Sequence, residues 1–196
     1  MSKLSIRKEI KVILQDIAPD ILKQKSEAIE QQLINTSYWQ EADILLAYIS
    51  IEMEVDTTQI LKTAFTQGKM VYIPRINGAD LCFHYLFNQN IQLVPNIYNI
   101  PEPSPILPVL DLPKLKRSKI LVIVPGAAFD RQKNRLGRGK GFYDRFLMGL
   151  RKYRKENCWV VGICFSEQLL NQVPVNKEDI PVDIVITDQN IFHKAS

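Results

Sequence analysis

Between residues 124 and 147 the chain reads VPGAAFDRQKNRLGRGKGFYDRFL, in which Gly137, Gly139 and Gly141 alternate with Arg138 and Lys140. Glycine at every second position lets the backbone approach a ligand closely, and the side chains between supply positive charge. That chemistry suits a polyphosphate. Arg131, Lys133 and Arg135 add to the same loop, although the formal net charge of the whole chain is only +4. The segment is not a P-loop, because Phe142 stands where Ser or Thr must follow Gly-Lys. Nor does its GxGxG spacing, late in the chain, fit the dinucleotide fingerprint. On spacing alone, a solvated turn between a strand and a helix is as ordinary a reading as a binding loop.

Other residues could do chemistry in company. Lys3 and Arg7 stand i,i+4 on an amphipathic stretch and share one helix face, where solvated surface charges are the usual outcome. Glu52, Glu54 and Asp56 follow an apolar run as a short acidic loop. Asp144 follows the glycines and could pair with Arg145 or cap a turn, while Phe142 and Tyr143 could stack on a ring or pack as the first apolar turn of a helix. Cys82, Cys158 and Cys164 show no C-x-x-C spacing, and only His84 and His193 could join them as soft ligands. Reduced, buried thiols and no structural zinc are expected.

The elements that must position these residues alternate between helix and strand. Ile6, Ile10, Ile13, Leu14 and Ile17 recur at helical spacing, Pro19 and Asp20 punctuate, and a second helix runs through Ala28, Ile29 and Leu33. Residues 44–49 (ILLAYI) read as a buried strand, 57–67 as a helix stopped by Gly68, and 70–73 as the next strand. That βαβ unit implies a parallel sheet with a right-handed crossover. Residues 81–86 suggest another strand, with His84 inside it. Then come Pro95, Pro101, Pro103, Pro105, Pro108 and Pro113, a stretch that can supply neither helix nor central strand and is long enough to lie across a site. Residues 120–124 read as a strand, the basic loop follows, and a helix begins near Gly141. Strand, glycine loop and helix present backbone N–H groups to phosphate. Residues 159–164 and 183–187 read as the last two strands, with a short helix at 167–170 between them.

With 196 residues, 46% hydrophobic and 23% charged, the composition is that of one α/β domain over residues 1–196. No apolar run near the start is long enough for a signal peptide or a membrane span, so a cytoplasmic protein without a membrane partner is expected. A nucleic-acid binder would carry a broader basic face than one loop. The cations of residues 151–155 suit the solvated end of a helix.

The complete string resembles the signature of the 5-formyltetrahydrofolate cyclo-ligase family, where P-G-x-x-F-D leads into R-L-G-x-G-x-G-[YF]-Y-D. Here these are Pro125, Gly126, Phe129 and Asp130, then Arg135 through Asp144. The same order continues elsewhere: Lys3 with Arg7, Tyr48 to Thr57 as Y-x-S-x-x-x-E-V-D-T, Gly68 to Arg75 as G-K-x-V-x-x-P-R, and Gln168, Pro174, Asp179 and Asp183 near the end. Several separated motifs in one order are far more specific than a glycine loop alone.

The resemblance implies a largely parallel sheet flanked by helices, similar to the sugar-phosphate isomerase and CoA-transferase-like fold. It implies an enzyme acting on 5-formyltetrahydrofolate and ATP with Mg2+; a monomer without a nucleic-acid partner is expected. It assigns ATP contacts to Lys3, Arg7, Arg135, Leu136, Gly137, Arg138, Gly139, Lys140, Gly141, Phe142 and Tyr143. Folate contacts fall to Ile49 and Glu54 together with Arg138, Gly139, Lys140, Gly141 and Phe142. Asp144 and Asp179 become magnesium ligands, and Arg138 and Lys140 the groups that neutralise the transferring phosphoryl. One departure is Lys133, where the family usually has glycine; lysine disfavours a left-handed turn, so a different conformation is expected at this tip. A ligand sensor on the same fold and a nucleic-acid binder using the basic loop are the rival classes.

Overall fold

A computed structural model describes residues 1–88, 93–96, 100–115, 117–153 and 156–193. Its centre is a seven-stranded sheet in the order β12-β11-β9-β6-β1-β2-β3. The strands are β1 (Ile44–Leu46), β2 (Met70–Asn77), β3 (Asp80–Leu86), β6 (Ile120–Val124), β9 (Cys158–Ile163), β11 (Ile184–Ile186) and β12 (Ile191–Phe192). The five inner strands run parallel, while β3 and β12 close the two edges antiparallel. β1 and β6 are ILL and ILVIV with every residue buried. Uninterrupted apolar runs are what strands covered on both faces require.

The period of two along each strand sorts these residues into two cores. Leu45, Leu121, Ile123 and Val161 pack with Ile6, Ile10, Ile29, Leu33 and Ile60, from α1 (Lys3–Gln15), α2 (Pro19–Ile34) and α4 (Thr58–Thr66). Ile44, Leu46, Val122, Val124 and Val160 face the other way, onto Leu147 and Leu150 of α5 (Phe142–Tyr153). The helix α3 (Ser37–Glu41) anchors the buried Trp39, whose Nε1 donates to Gln67 at 2.8 Å.

The βαβ unit β1-α4-β2 is present as the periodicity predicts. The proline-rich stretch contains more order than expected: a two-stranded hairpin of β4 (Val94–Pro95) and β5 (Pro101–Glu102), then a 3-10 turn at Leu112–Leu115. It does lie across the molecule, for the Leu110 N–H donates to the Phe83 carbonyl at 2.7 Å along the β3 edge. His84, in β3, is buried and bonds through Nδ1 to the Leu107 carbonyl at 2.9 Å. The short helix expected at 167–170 is a 3-10 turn, Ser166–Gln168, running into β10 (Leu169–Leu170). Of the terminal basic run, Arg151 is not merely solvated, since it pairs with Asp183 at 2.6 Å; residues 154 and 155 lie outside the described residues.

Phe129 locks the loop region to the sheet. Its fully buried ring leaves no room for side chains at Gly126 or Gly162, where a Cβ would sit 2.6 Å and 2.3 Å from ring carbons. Gly162→Ala is therefore expected to lower stability by about 1–3 kcal/mol through overpacking. Gly149→Ala, in α5 with nothing within 4 Å of the new methyl, should raise it by about 0.5–1 kcal/mol. Denaturant melting of the two variants checks both signs.

Candidate active site

The chain passes from β1 to β2 on one side and later returns to place β6 on the other side of β1. Strand order thus reverses between β1 and β6, and the loops leaving their C-terminal ends diverge around a crevice. In open α/β sheets that is where ligands bind.

The loop after β1 supplies a carboxylate. The Glu54 N–H donates to the Ile51 carbonyl at 3.0 Å, closing a turn whose third residue, Met53, has φ 64°. Methionine in this region is uncommon and strained, and the turn persists because it is held from several sides. Glu54 Oε2 accepts the Ile51 N–H at 3.1 Å, and Thr57 Oγ1 donates to the Tyr48 carbonyl at 2.8 Å. Glu54 is thereby aimed inward, its side chain 10% exposed, and Oε1 accepts from Arg138 Nε and Nη2 at 3.0 and 2.9 Å. Burial pushes its carboxyl up from the ordinary value, against the pull of the Arg138 charge and the Ile51 N–H. Glu52 and Asp56 are exposed, and Asp56 is used locally, accepting the Thr58 N–H at 2.9 Å.

The loop after β6 is built on a hairpin of β7 (Ala128–Asp130) and β8 (Arg135–Leu136). Asp130 is fully buried and holds the hairpin by accepting from Asn134 N–H, Asn134 Nδ2 and the Val173 N–H, each at 2.9 Å. Lys133 at the tip corrects the sequence expectation. It keeps the left-handed conformation, with φ 70°, and its carbonyl accepts the Val182 N–H at 3.0 Å. That conformation costs a lysine about 1–2 kcal/mol, and the surrounding bonds impose it. Gln168, 3% exposed, donates to the Gly126 and Ala127 carbonyls at 3.0 and 3.2 Å and fixes the base of the loop.

Arg135 enters the site as a buried strut. Its side chain is 3% exposed, Nη2 pairs with Asp144 Oδ1 at 2.8 Å, and the guanidinium lies 5.6 Å from the centre of the Tyr143 ring. Asp144 thus pairs with Arg135 and not with Arg145, which reaches the Ala79 carbonyl and Asp80. Asp144 Oδ1 also accepts the Ile180 N–H at 3.2 Å, which brings it beside the segment carrying Asp179. Asp179 Oδ2 is bound by Lys3; burial would raise this carboxyl, but the bonds from Lys3 and the Asn176 N–H outweigh it and hold it below the ordinary range. Arg7 Nε donates to the Gly137 carbonyl at 2.8 Å, and its guanidinium lies against Gly139. Gly139 and Gly141 have φ 103° and 68°, conformations that glycine adopts at no steric cost.

Between the two loops lies a cavity of ≈ 370 Å³. One side is apolar, with Ile49, Ile51, Pro74, Ile76 and Leu81; the other carries Arg135, Arg138, Lys140 and Asp144 beside Gly137 and Gly141. Phe142 and Tyr143, from the first turn of α5, also line it, and burial raises the Tyr143 hydroxyl, which has no hydrogen-bond partner among the described residues. Most of the expected residues are therefore in one place. Lys3, Arg7, Gly139 and Asp179 flank the cavity through the contacts above without lining it. Leu136 departs further: its side chain is 1% exposed in the core and its carbonyl accepts the Ala127 N–H, so only its backbone spacing can serve a ligand.

The model of the 5-formyltetrahydrofolate cyclo-ligase family matches residues 1–188. The chain belongs to that family. It is 29% identical to the mouse 5-formyltetrahydrofolate cyclo-ligase over 194 residues, covering 96% of this chain and 95% of the relative. Against the Escherichia coli K12 protein of the same name, identity is 33% over 153 residues, covering 77% and 81%. The solution structure of 5,10-methenyltetrahydrofolate synthetase from Aquifex aeolicus superposes with a TM-score of 0.82 at 26% identity, over 98% of this chain and 93% of that one. Family membership accounts for the ordered motifs, in which Asp130 and Gln168 turn out to be buried supports, while Glu102 is a support that its local sequence does not announce. Glu102 lies inside the proline-rich stretch and is only 3% exposed.

The Glu54 environment gives a direct expectation. Its folded value is raised, so the stability linked to its proton is present below the ordinary carboxylate value and lost as pH rises through the raised one. Carboxylate NMR titration should give Glu54 a midpoint above that of free glutamate, and a higher one in Arg138→Met, which removes the opposing charge. A midpoint unchanged by that substitution would remove Arg138 as its partner.

Proposed function

We propose that the cavity brings 5-formyltetrahydrofolate and ATP together for cyclisation to 5,10-methenyltetrahydrofolate, with ADP and phosphate as the other products. The observation that carries the reading is a single cavity, at the sheet's switch point, with an apolar half ending in Glu54 and a cationic, glycine-lined half. A carboxylate can accept two hydrogen bonds from an aminopyrimidinone edge, which gives Glu54 and the apolar wall the folate ring. Arg138, Lys140 and the backbone of Gly137 and Gly141 face the phosphates.

The formyl oxygen attacks the γ-phosphate, and N10 then attacks the formyl carbon, expelling phosphate. A formyl oxygen leaves poorly until phosphorylated. The substrate supplies both nucleophiles, so the protein's work is to hold three groups in line and to offset charge on the transferring phosphoryl. Arg138 suits that task because it is already beside Glu54 and its side chain is 54% exposed. In this reading Asp144 and Asp179 would hold a magnesium ion. Among the described residues the bonds to Asp144 use Oδ1 and those to Asp179 use Oδ2, which leaves the other oxygen of each to a cation. Mg2+ takes few carboxylates and fills its shell with water and phosphate oxygens, where it would offset phosphate charge. The reading extends to a cytoplasmic monomer that binds neither nucleic acid nor membrane; no helix among the described residues is long and apolar enough to cross one.

The test is methenyl absorbance from purified protein, 5-formyltetrahydrofolate and MgATP, abolished by omitting ATP or chelating magnesium. Lys140→Ala should lower kcat/KM for ATP by roughly tenfold to 150-fold, the loss of one charge-assisted bond of about 1.5–3 kcal/mol. Folate binding without methenyl formation would favour the sensor reading, and ATP kinetics unaltered by Lys140→Ala would take the loop away from the phosphates.

A further inference from the structure

Glu102 is a third carboxylate at the cavity, beside Glu54 and Asp144, and its surroundings are built for it. Oε1 accepts the Ile76 N–H at 2.8 Å and Asn96 Nδ2 at 2.6 Å, and Oε2 faces Arg75 Nη1 at 3.4 Å. Arg75 Nη1 also donates to the Pro103 carbonyl at 2.9 Å, so one guanidinium grips the residue after Glu102 as well. Within the hairpin, the Asn96 N–H donates to the Ile100 carbonyl at 2.9 Å, and Asn96 Oδ1 accepts the Ile100 N–H at 3.0 Å. A carboxylate this deep persists only when its lone pairs are satisfied, and the donors come from β2 on one side and from the hairpin on the other.

Ile76, Ile100, Pro101 and Glu102 all line the cavity. Among the described residues of this segment Val94 and Pro95 are exposed, Val94 by 55%, and Leu93 is only partly buried against the core, so the polar clasp carries much of the attachment. The geometry points to Glu102 as a positioning residue that clasps the β4-β5 hairpin to β2 and so fixes the width of the cavity's apolar half. On the function proposed above, that half holds the folate ring, and Glu102 acts on folate through Ile100 and Pro101 without touching the phosphates.

Glu102→Gln presents an amide N–H₂ to donors on Asn96 or Arg75 and breaks the clasp while preserving size. The KM for 5-formyltetrahydrofolate should rise by about fivefold or more, with kcat and the KM for ATP within about twofold of the parent. Equilibrium titration with 5-formyltetrahydrofolate alone should weaken by a similar factor. Arg75→Met combined with Glu102→Gln removes both charges together and should show about the same folate defect as either single change, not their product. An unchanged folate KM and affinity in folded variants would overturn the role. So would equal damage to ATP and folate, or unfolding of both the single and the double variant, because Glu102 would then be part of the fold and not of the cavity's shape. If the parent protein binds no folate, the proposed function itself fails and takes this inference with it; if the parent binds folate and only the variants' response is wrong, the clasp alone is rejected.

Discussion

The pairing of β1 with β6 is the constraint on which the site depends. Ile44 lies opposite Ile120 and Leu46 opposite Val122, so the two strands run side by side at the centre of the sheet, β6 ending two residues further on at Val124. Their following loops must then part, one toward Glu54 and the other toward the glycines. Neither strand has a polar residue, and burial on both faces holds them at the centre of the sheet. A cavity formed this way inherits the rigidity of the core while its lining is carried by loops.

Charge at the site is held by supports that are themselves buried. Arg135 and Asp144 illustrate the cost, since breaking a buried pair by removing one partner generally costs about 3–5 kcal/mol. Asp144 therefore has two tasks: pairing Arg135 through one oxygen and, in the proposed function, offering the other to magnesium. Its replacement disturbs structure and metal binding together. Asp130 and Gln168 do comparable work beneath the loop with hydrogen bonds alone, and Phe129 does it by packing against two glycines. The glycine loop can be open and cationic because Asp130 and Gln168 beneath it are buried with their hydrogen bonds made.

Helical periods and unbroken apolar runs were legible in the sequence, and short pairings without either were not. The helices α1, α2, α4 and α5 follow from apolar spacing, and β1, β6 and β9 from the apolar runs that strands buried on both faces require. β7, β8, β10 and β12 have two or three residues each, too few to show a period. The motifs brought Glu54 and residues 135–144 to one place, but they could not distinguish lining from support: Leu136 faces the core and Arg135 is largely spent on Asp144. Lys133 shows the opposite limit. Local preference argued against a left-handed turn there, and the hydrogen bonds around Asp130 and Val182 overrode it. Glu102 had no local signal because its partners lie 26 residues away in β2 as well as in its own hairpin.

On the proposed function, one cavity holds two substrates in a fixed order, the folate ring against the β1 side and the phosphates against the glycine loop. Backbone amide chemical shifts measured with each ligand alone test this most directly. A non-hydrolysable ATP analogue with Mg2+ should perturb Gly137, Gly139 and Gly141 most, and 5-formyltetrahydrofolate should perturb Ile49, Ile51 and Ile76 most. Nucleotide perturbations centred on the β1 loop, or folate perturbations absent from it, would contradict the account.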